Sequence, residues 1–140
     1  MDVCARVGRG QTPVSGCSIQ HKNKFVPCVV GVVYCIPLTC QRVYIGQTGR
    51  CVNERLREHA CSMRSSPSGN LAVHCDRCGC TPVFNETKIL AKHRLQSTRE
   101  IAEAFFILKH KDKCVSSPSV CLYDSEIAFI GSFQRNDDVM

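Results

Sequence analysis

The sequence predicts a small mixed α+β domain with the order β-β-α-β-α and a tail element. Three observations carry this. Runs rich in β-branched residues at Val29–Ile36 and Arg42–Gly46 flank a short link that begins at Pro37. Apolar residues recur at helical spacing over Val52, Leu56, Ala60 and Met63, and a second apolar run spans Ile101–Leu108. A chain of 140 residues with 44% hydrophobic and 21% charged residues fits one domain with a genuine core and excludes wholesale disorder.

Each element has a local reason. Residues 1–24 read as a loose leader, because Gly8, Gly10, Pro13 and Gly16 break every periodic pattern and Cys17–Lys24 is polar and expected to be exposed. The domain proper is expected over 25–133. Val29–Ile36 and Arg42–Gly46 suit a pleated surface, and the short link between them predicts an antiparallel hairpin. Gln47-Thr48-Gly49 is expected to turn. The Val52–Met63 helix carries Arg55, Arg57, Glu58 and Arg64 on its remaining surface. Residues 65–70 read as a loop, Leu71–His74 as a short helical turn, and Cys75–Thr81 as irregular. Alternation over 83–90 predicts a third strand. Ser97 and Glu100 form a capping box opening the Ile101–Leu108 helix, which is apolar nearly all round and so expected to be buried. Lys109, Lys111 and Lys113 suit its C-terminal end. A terminal helix is expected over Asp124–Phe133, capped by Asp124 or Ser125, with 134–140 as a polar tail.

Composition narrows the function classes. No apolar run reaches the ~18 residues of a membrane span, so no membrane partner is expected. The start shows no basic segment followed by an apolar one, which predicts an intracellular, reducing location. The 12 cysteines are then free or metal-bound. A net charge of +6 permits a nucleic-acid partner without requiring one.

Four constellations could carry chemistry. Tyr34 and Tyr44 lie on adjacent strands and can share a face, where phenols bond a water or phosphate and pass a proton; ordinary strand aromatics fit the same positions. Arg55 and His59 stand at i and i+4 on one helix face, where an Arg fork holds phosphate and His moves a proton; a solvated face fits equally. Glu103 is the one acid in its apolar run, an expensive place for a carboxylate unless it binds a metal or pairs with Arg99. Last, His74-Cys75-x-x-Cys78-x-Cys80 has zinc-knuckle spacing. Neighbours rarely all reach one ion, so a second pair from Cys35/Cys40 or Cys17/His21/Cys28 is expected, with buried reduced thiols as the competing reading.

Taken together, Gly31-Val32-Val33-Tyr34, Tyr44-Ile45-Gly46-Gln47-Thr48-Gly49-Arg50, Arg55-Leu56-Arg57-Glu58-His59 and Glu103 closely resemble the GIY-YIG nuclease family. The wording is most similar to the endonuclease domains of Penelope-like retroelements. The resemblance spans about residues 25–130. It implies a three-stranded antiparallel sheet flanked by helices and a magnesium- or manganese-dependent DNA endonuclease, acting in the nucleus. It also implies a partner reverse-transcriptase domain on a longer parent protein. It assigns Tyr34 as general base or relay and Tyr44 as ligand to the phosphate or water. Gly46 allows close backbone approach. Arg55 stabilises the phosphorane, His59 assists proton transfer, and Glu103 holds the metal. Arg42, Arg50, Arg57 and Arg64 are expected to meet DNA phosphates. Val115–Ser119 lacks the asparagine that many relatives carry late in the chain. This keeps open an alternative, a zinc-stabilised nucleic-acid-binding module of the same fold without catalysis.

Overall fold

The computed structural model describes residues 4–6, 17–22, 24–64 and 69–138. Gly8, Gly10, Pro13 and Gly16 of the expected leader, residues 65–68 of the expected loop and residues 139–140 of the expected tail lie outside them. In chain order come β1 Cys4–Arg6, β2 Ile19–His21, β3 Val30–Pro37, β4 Val43–Cys51, α1 Val52–Arg64, α2 Gly69–Cys78, β5 Lys88–Lys92, α3 Gln96–His110 and α4 Asp124–Asp138. β1 and β2 pair by themselves, and β4-β3-β5 form a three-stranded antiparallel sheet.

β3 is the centre of the molecule because its side chains alternate between two cores. Val32, Tyr34 and Ile36 pack against Val52 and Leu56 of α1 and Leu71 of α2. Val33 and Cys35 pack against Ala102, Phe105 and Phe106 of α3 on the opposite face. Each fully buried aliphatic or aromatic chain contributes about 1.5–3 kcal/mol over its exposed state, so one strand anchors both layers. Among the described residues no helix is long and apolar enough to cross a membrane.

Several elements differ from expectation, each for a local reason. Gln47-Thr48-Gly49 does not turn; Gln47 and Thr48 pair with Val33 and Val32, and a bulge at Gly31 (φ 70°) carries the ladder on to Cys51 opposite Val30. The third strand begins later, at Lys88, because Phe84–Glu86 close a 3₁₀ turn on which the Thr87 hydroxyl donates to the Phe84 carbonyl. α2 continues through Cys78 and stops at Gly79, whose φ of +81° suits a helix C-terminus. The capping box at Ser97 does not form. The N-cap of α3 is Leu95, without a side-chain cap, and Glu100 accepts instead from the Gln96 amide. Ile101 is 42% exposed, but Ala102 and Ala104 to Ile107 are buried, so the expected burial of α3 holds over most of its apolar run. α4 runs on to Asp138, through residues expected as tail. It is preceded by Tyr123, whose backbone N–H donates to Glu126 at 2.8 Å, so neither Asp124 nor Ser125 is the cap. Cys17, expected to be exposed, is buried.

Candidate functional site

The antiparallel register sets Tyr34 of β3 directly opposite Gly46 of β4. Gly46 leaves the Tyr34 ring room to lie against the strand, and Tyr44 stands two residues before it on the same face. α1 follows β4 without a linker and leans on that face through Val52 and Leu56. Arg55 and His59, one turn apart on α1, therefore meet the two tyrosines. The Tyr34 hydroxyl lies 2.8 Å from His59 Nε2. The His59 ring lies edge-on to Tyr44 at 5.0 Å and to Tyr34 at 6.0 Å between centroids. A cleft of about 210 Å³ opens beside them, lined by Tyr44, Arg55, His59, Ser62 and Asn70.

Electrostatics link this cluster to α3. Burial pushes the Tyr34 phenol well above its ordinary range; Tyr44 and Glu103 push the same way and Arg55 opposes them. Burial and Glu103 likewise raise Tyr44 against Arg55. His59 is held down to about 4 by burial and then by the Arg55 charge. Tyr34, Tyr44 and His59 are thus neutral near pH 7. Glu103 is half-buried, and burial and then Glu100 raise its carboxyl to about 7 against a long 3.5 Å bond donated by Ser119. Arg99 is not its partner. The Arg99 guanidinium is buried and donates to Gln47 Oε1 at 2.9 Å and to the carbonyls of His93 and Arg94 at 3.0 and 2.8 Å.

The arginines fall into different settings. Arg50 bridges Glu54 at 2.6 Å and Glu58 at 2.7 Å, and Arg55 meets Glu58 at 2.9 Å. Arg42 donates to the Asp112 carbonyl at 3.3 Å. Arg64 is exposed at the end of α1. The Arg57 Nε atom is buried without a hydrogen-bond partner among the described residues.

Two groups of cysteine and histidine can each hold a metal ion such as zinc: Cys40, His74, Cys78 and Cys80, and Cys17, His21, Cys28 and Cys51, with the ligand atoms of each group within 4.8 Å of one another. The first corrects the expected knuckle. His74 and Cys78 are i and i+4 on α2 and share a face. Cys75, one residue on, is turned about 100° away on the helix and enters the core beside Val32 and Tyr34. Cys40 takes its place. The β3–β4 hairpin reaches α2 because Thr39 and Val83 N–H groups donate to the Thr81 and Pro37 carbonyls. His74 Nε2 then lies 3.5 Å from Cys40 Sγ. Burial pushes the Cys40 thiol up, but hydrogen bonds from His74, the Arg42 backbone and the neighbouring thiols outweigh it and bring it down to about 7. Cys35, the other residue expected to complete the knuckle, points into the opposite core. Cys40 is among the expected partners, whereas Cys51 does not stand out in the sequence, since it joins its group only through the sheet.

No protein-family model, curated protein or solved structure matches the chain.

Proposed function

We propose that the protein is a metal-dependent DNA endonuclease that hydrolyses phosphodiester bonds, as its resemblance to GIY-YIG nucleases implies. The observation that carries this reading is the cluster of Tyr34, Tyr44, Arg55 and His59, three of which line one cleft while Tyr34 lies buried behind His59. Tyr34, Tyr44, Arg55 and His59 meet directly, and the charge of Glu103 acts on both phenols. A strand pair, a helix start and a distant helix all contribute to it, which an ordinary solvated face does not require.

The chain's own groups support a proton relay. Tyr34 holds its proton, so it acts as a base only by passing that proton on as it receives another. An attacking water gives its proton to the Tyr34 oxygen, and the Tyr34 proton moves to His59 Nε2 along the 2.8 Å contact. A bound phosphate raises the proton affinity of His59 by its negative charge and offsets the repulsion from Arg55. Arg55, with its guanidinium beside the cleft, donates to the phosphate oxygens. Tyr44 orients the water or the phosphate.

Glu103 is the residue that would hold magnesium or manganese. A half-buried carboxylate with a hydroxyl neighbour and, among the described residues, no ion pair to an arginine is a hard-oxygen donor suited to such an ion, which takes one or two carboxylates and fills its remaining positions with water and phosphate. When bound, the ion supplies charge neutralisation at the phosphoryl and leaving oxygens. Cys40, His74, Cys78 and Cys80 would hold a structural zinc that fastens the hairpin to α2, contributing folding energy directly.

The deciding experiment is nicking of supercoiled plasmid with and without magnesium, comparing wild type with Tyr34→Phe. Nicking that requires magnesium and falls 10²-fold or more in a folded Tyr34→Phe protein, the range for loss of general-base catalysis, supports the reading. DNA binding without nicking in either protein, with magnesium or manganese, assigns a binding module instead.

A further inference from the structure

Cys17, His21, Cys28 and Cys51 come from the chain before β2, β2 itself, the loop before β3 and the last residue of β4. Cys17 and His21 lie four residues apart, but Cys51 reaches them only across the fold. Their convergence is a product of the fold, and the distances have a definite form. His21 Nε2 lies 3.4 Å from Cys17 Sγ and 3.3 Å from Cys51 Sγ. Tetrahedral bonds of about 2.3 Å to sulfur and about 2.0 Å to nitrogen put neighbouring S and N ligands about 3.5 Å apart. One imidazole nitrogen offers a single lone pair or a single proton, so two thiols at equal distance cannot both be well satisfied by it. One cation at the centre satisfies all four atoms.

The surroundings fit metal-bound sulfur. Asn53, fully buried at the start of α1, donates its side-chain amide to Cys28 Sγ at 3.5 Å. Its backbone N–H is directed at the Cys51 sulfur. Such N–H donors orient thiolate ligands. The same side chain accepts from the N–H groups of Phe25 and Val26 at 2.8 and 3.2 Å and donates to the Val26 carbonyl at 2.8 Å. The loop carrying Cys28 is thus already held against α1. Three thiolates, one neutral imidazole and a divalent ion sum to a charge of about −1. Arg57, whose Nε is buried without a hydrogen-bond partner among the described residues, and Lys24 both exert their charge at His21; Glu54 opposes them but is engaged by Arg50.

We propose that Cys17, His21, Cys28 and Cys51 form a second structural zinc site, separate from the one on α2, which fastens the N-terminal segment to the β4–α1 junction. Three sulfurs and one imidazole are a known closed set for structural zinc and leave no open position for catalysis. The proposal does not depend on nuclease activity. It does set the position of α1, since Cys51 and Asn53 bracket the first residue of that helix.

The test is metal stoichiometry and location. The full chain, purified reduced and reconstituted with zinc, should hold two ions by native mass spectrometry. Titration with cobalt(II) should reach full thiolate-to-cobalt absorption at two equivalents. Cys17→Ser/His21→Asn removes ligands lying off the three-stranded sheet and should hold one ion. Cys40→Ser/Cys78→Ser should also hold one. Limited trypsin digestion supplies an independent readout. Zinc should protect Lys22 and Lys24 in wild type and in Cys40→Ser/Cys78→Ser, but not in Cys17→Ser/His21→Asn. A wild type that binds one ion or none overturns the proposal. So does a Cys17→Ser/His21→Asn protein that still binds two, or that keeps its tryptic protection.

Discussion

The Tyr34 ring occupies the space that a side chain on Gly46 would need. A methyl group at Gly46 would fall 2.5 Å from the Tyr34 hydroxyl oxygen and 2.7 Å from Cζ. Both contacts are impossible without movement, and Tyr34 is fully buried. Gly46→Ala should therefore destabilise the protein by about 1–3 kcal/mol, the usual cost of overpacking, and should displace the Tyr34 hydroxyl from His59. Urea melts measure the first effect. An Ala variant as stable as wild type would show that the ring can leave the strand at no cost.

Glu103 gives a pH-dependent signature. Its carboxyl is raised to about 7 by burial and then by Glu100, while the unfolded chain releases the proton near the ordinary value of 4.5. The folded state holds the proton longer, so the stability this group contributes is fully present below about 4.5 and is lost as pH rises through about 7. Glu103→Gln should melt above wild type at pH 8, with the gap shrinking toward pH 5. Magnesium should raise the melting temperature of wild type at pH 8 and leave the Gln variant unchanged. A gap independent of pH would refute the raised carboxyl.

His59 has the opposite sign. Burial and the Arg55 charge lower it to about 4 from 6.5, so the folded state resists a proton that the unfolded chain accepts. The stability it contributes is present above about 6.5 and is lost as pH falls toward 4. The melting-temperature advantage of wild type over His59→Gln should narrow between pH 7 and pH 5. A constant advantage would place the His59 ring in an ordinary solvated setting.

DNA binding should respond to Glu58, which holds Arg50 and Arg55 together at 2.7 and 2.9 Å. Glu58→Gln releases the Arg55 guanidinium toward phosphate and leaves Arg50 tied to Glu54 alone. Affinity measured by fluorescence anisotropy should rise several-fold at low salt. The slope of log K against log salt should steepen by about 0.9 for each added phosphate contact. An unchanged slope would mean that neither arginine reaches the backbone.

How much of this was legible in the sequence follows from distance along the chain. The central strand, α1 and the resemblance-bearing residues could be read because each lies in a short local pattern. The apolar repeat of α1 fixed the face that presents Arg55 and His59. Of the metal groups, His74, Cys78, Cys80, Cys40 and the set Cys17, His21 and Cys28 could be read as candidate ligands, but not that they form two separate groups or that Cys51 completes the second, because only the β3–β4 ladder brings Cys51 there. Cys75 was read as a ligand because spacing alone does not give helical phase; once α2 extends through Cys78, that residue must face the core. Arg99 and Glu103 have the i, i+4 spacing of an ion pair, yet Gln47 and two loop carbonyls take the guanidinium. The length of β4 was hidden by Gln47-Thr48-Gly49, which reads as a turn until its partners on β3 are known.

The sheet order has a consequence for behaviour in concentrated solution. The outer side of β4 is partly closed, since the Ile45 N–H donates to the Ser116 hydroxyl and the Val115 N–H to the Val43 carbonyl. β5 has no such cover: among the described residues it meets β3 along one side and no strand along the other. That free edge invites an extended segment of a second molecule to add on, with Ile89 already 41% exposed. What guards it is the pair of exposed lysines at its ends, Lys88 and Lys92, whose charges repel an identical edge brought alongside. Self-association through this strand is therefore held off by two side chains that take no part in the core or in either metal group.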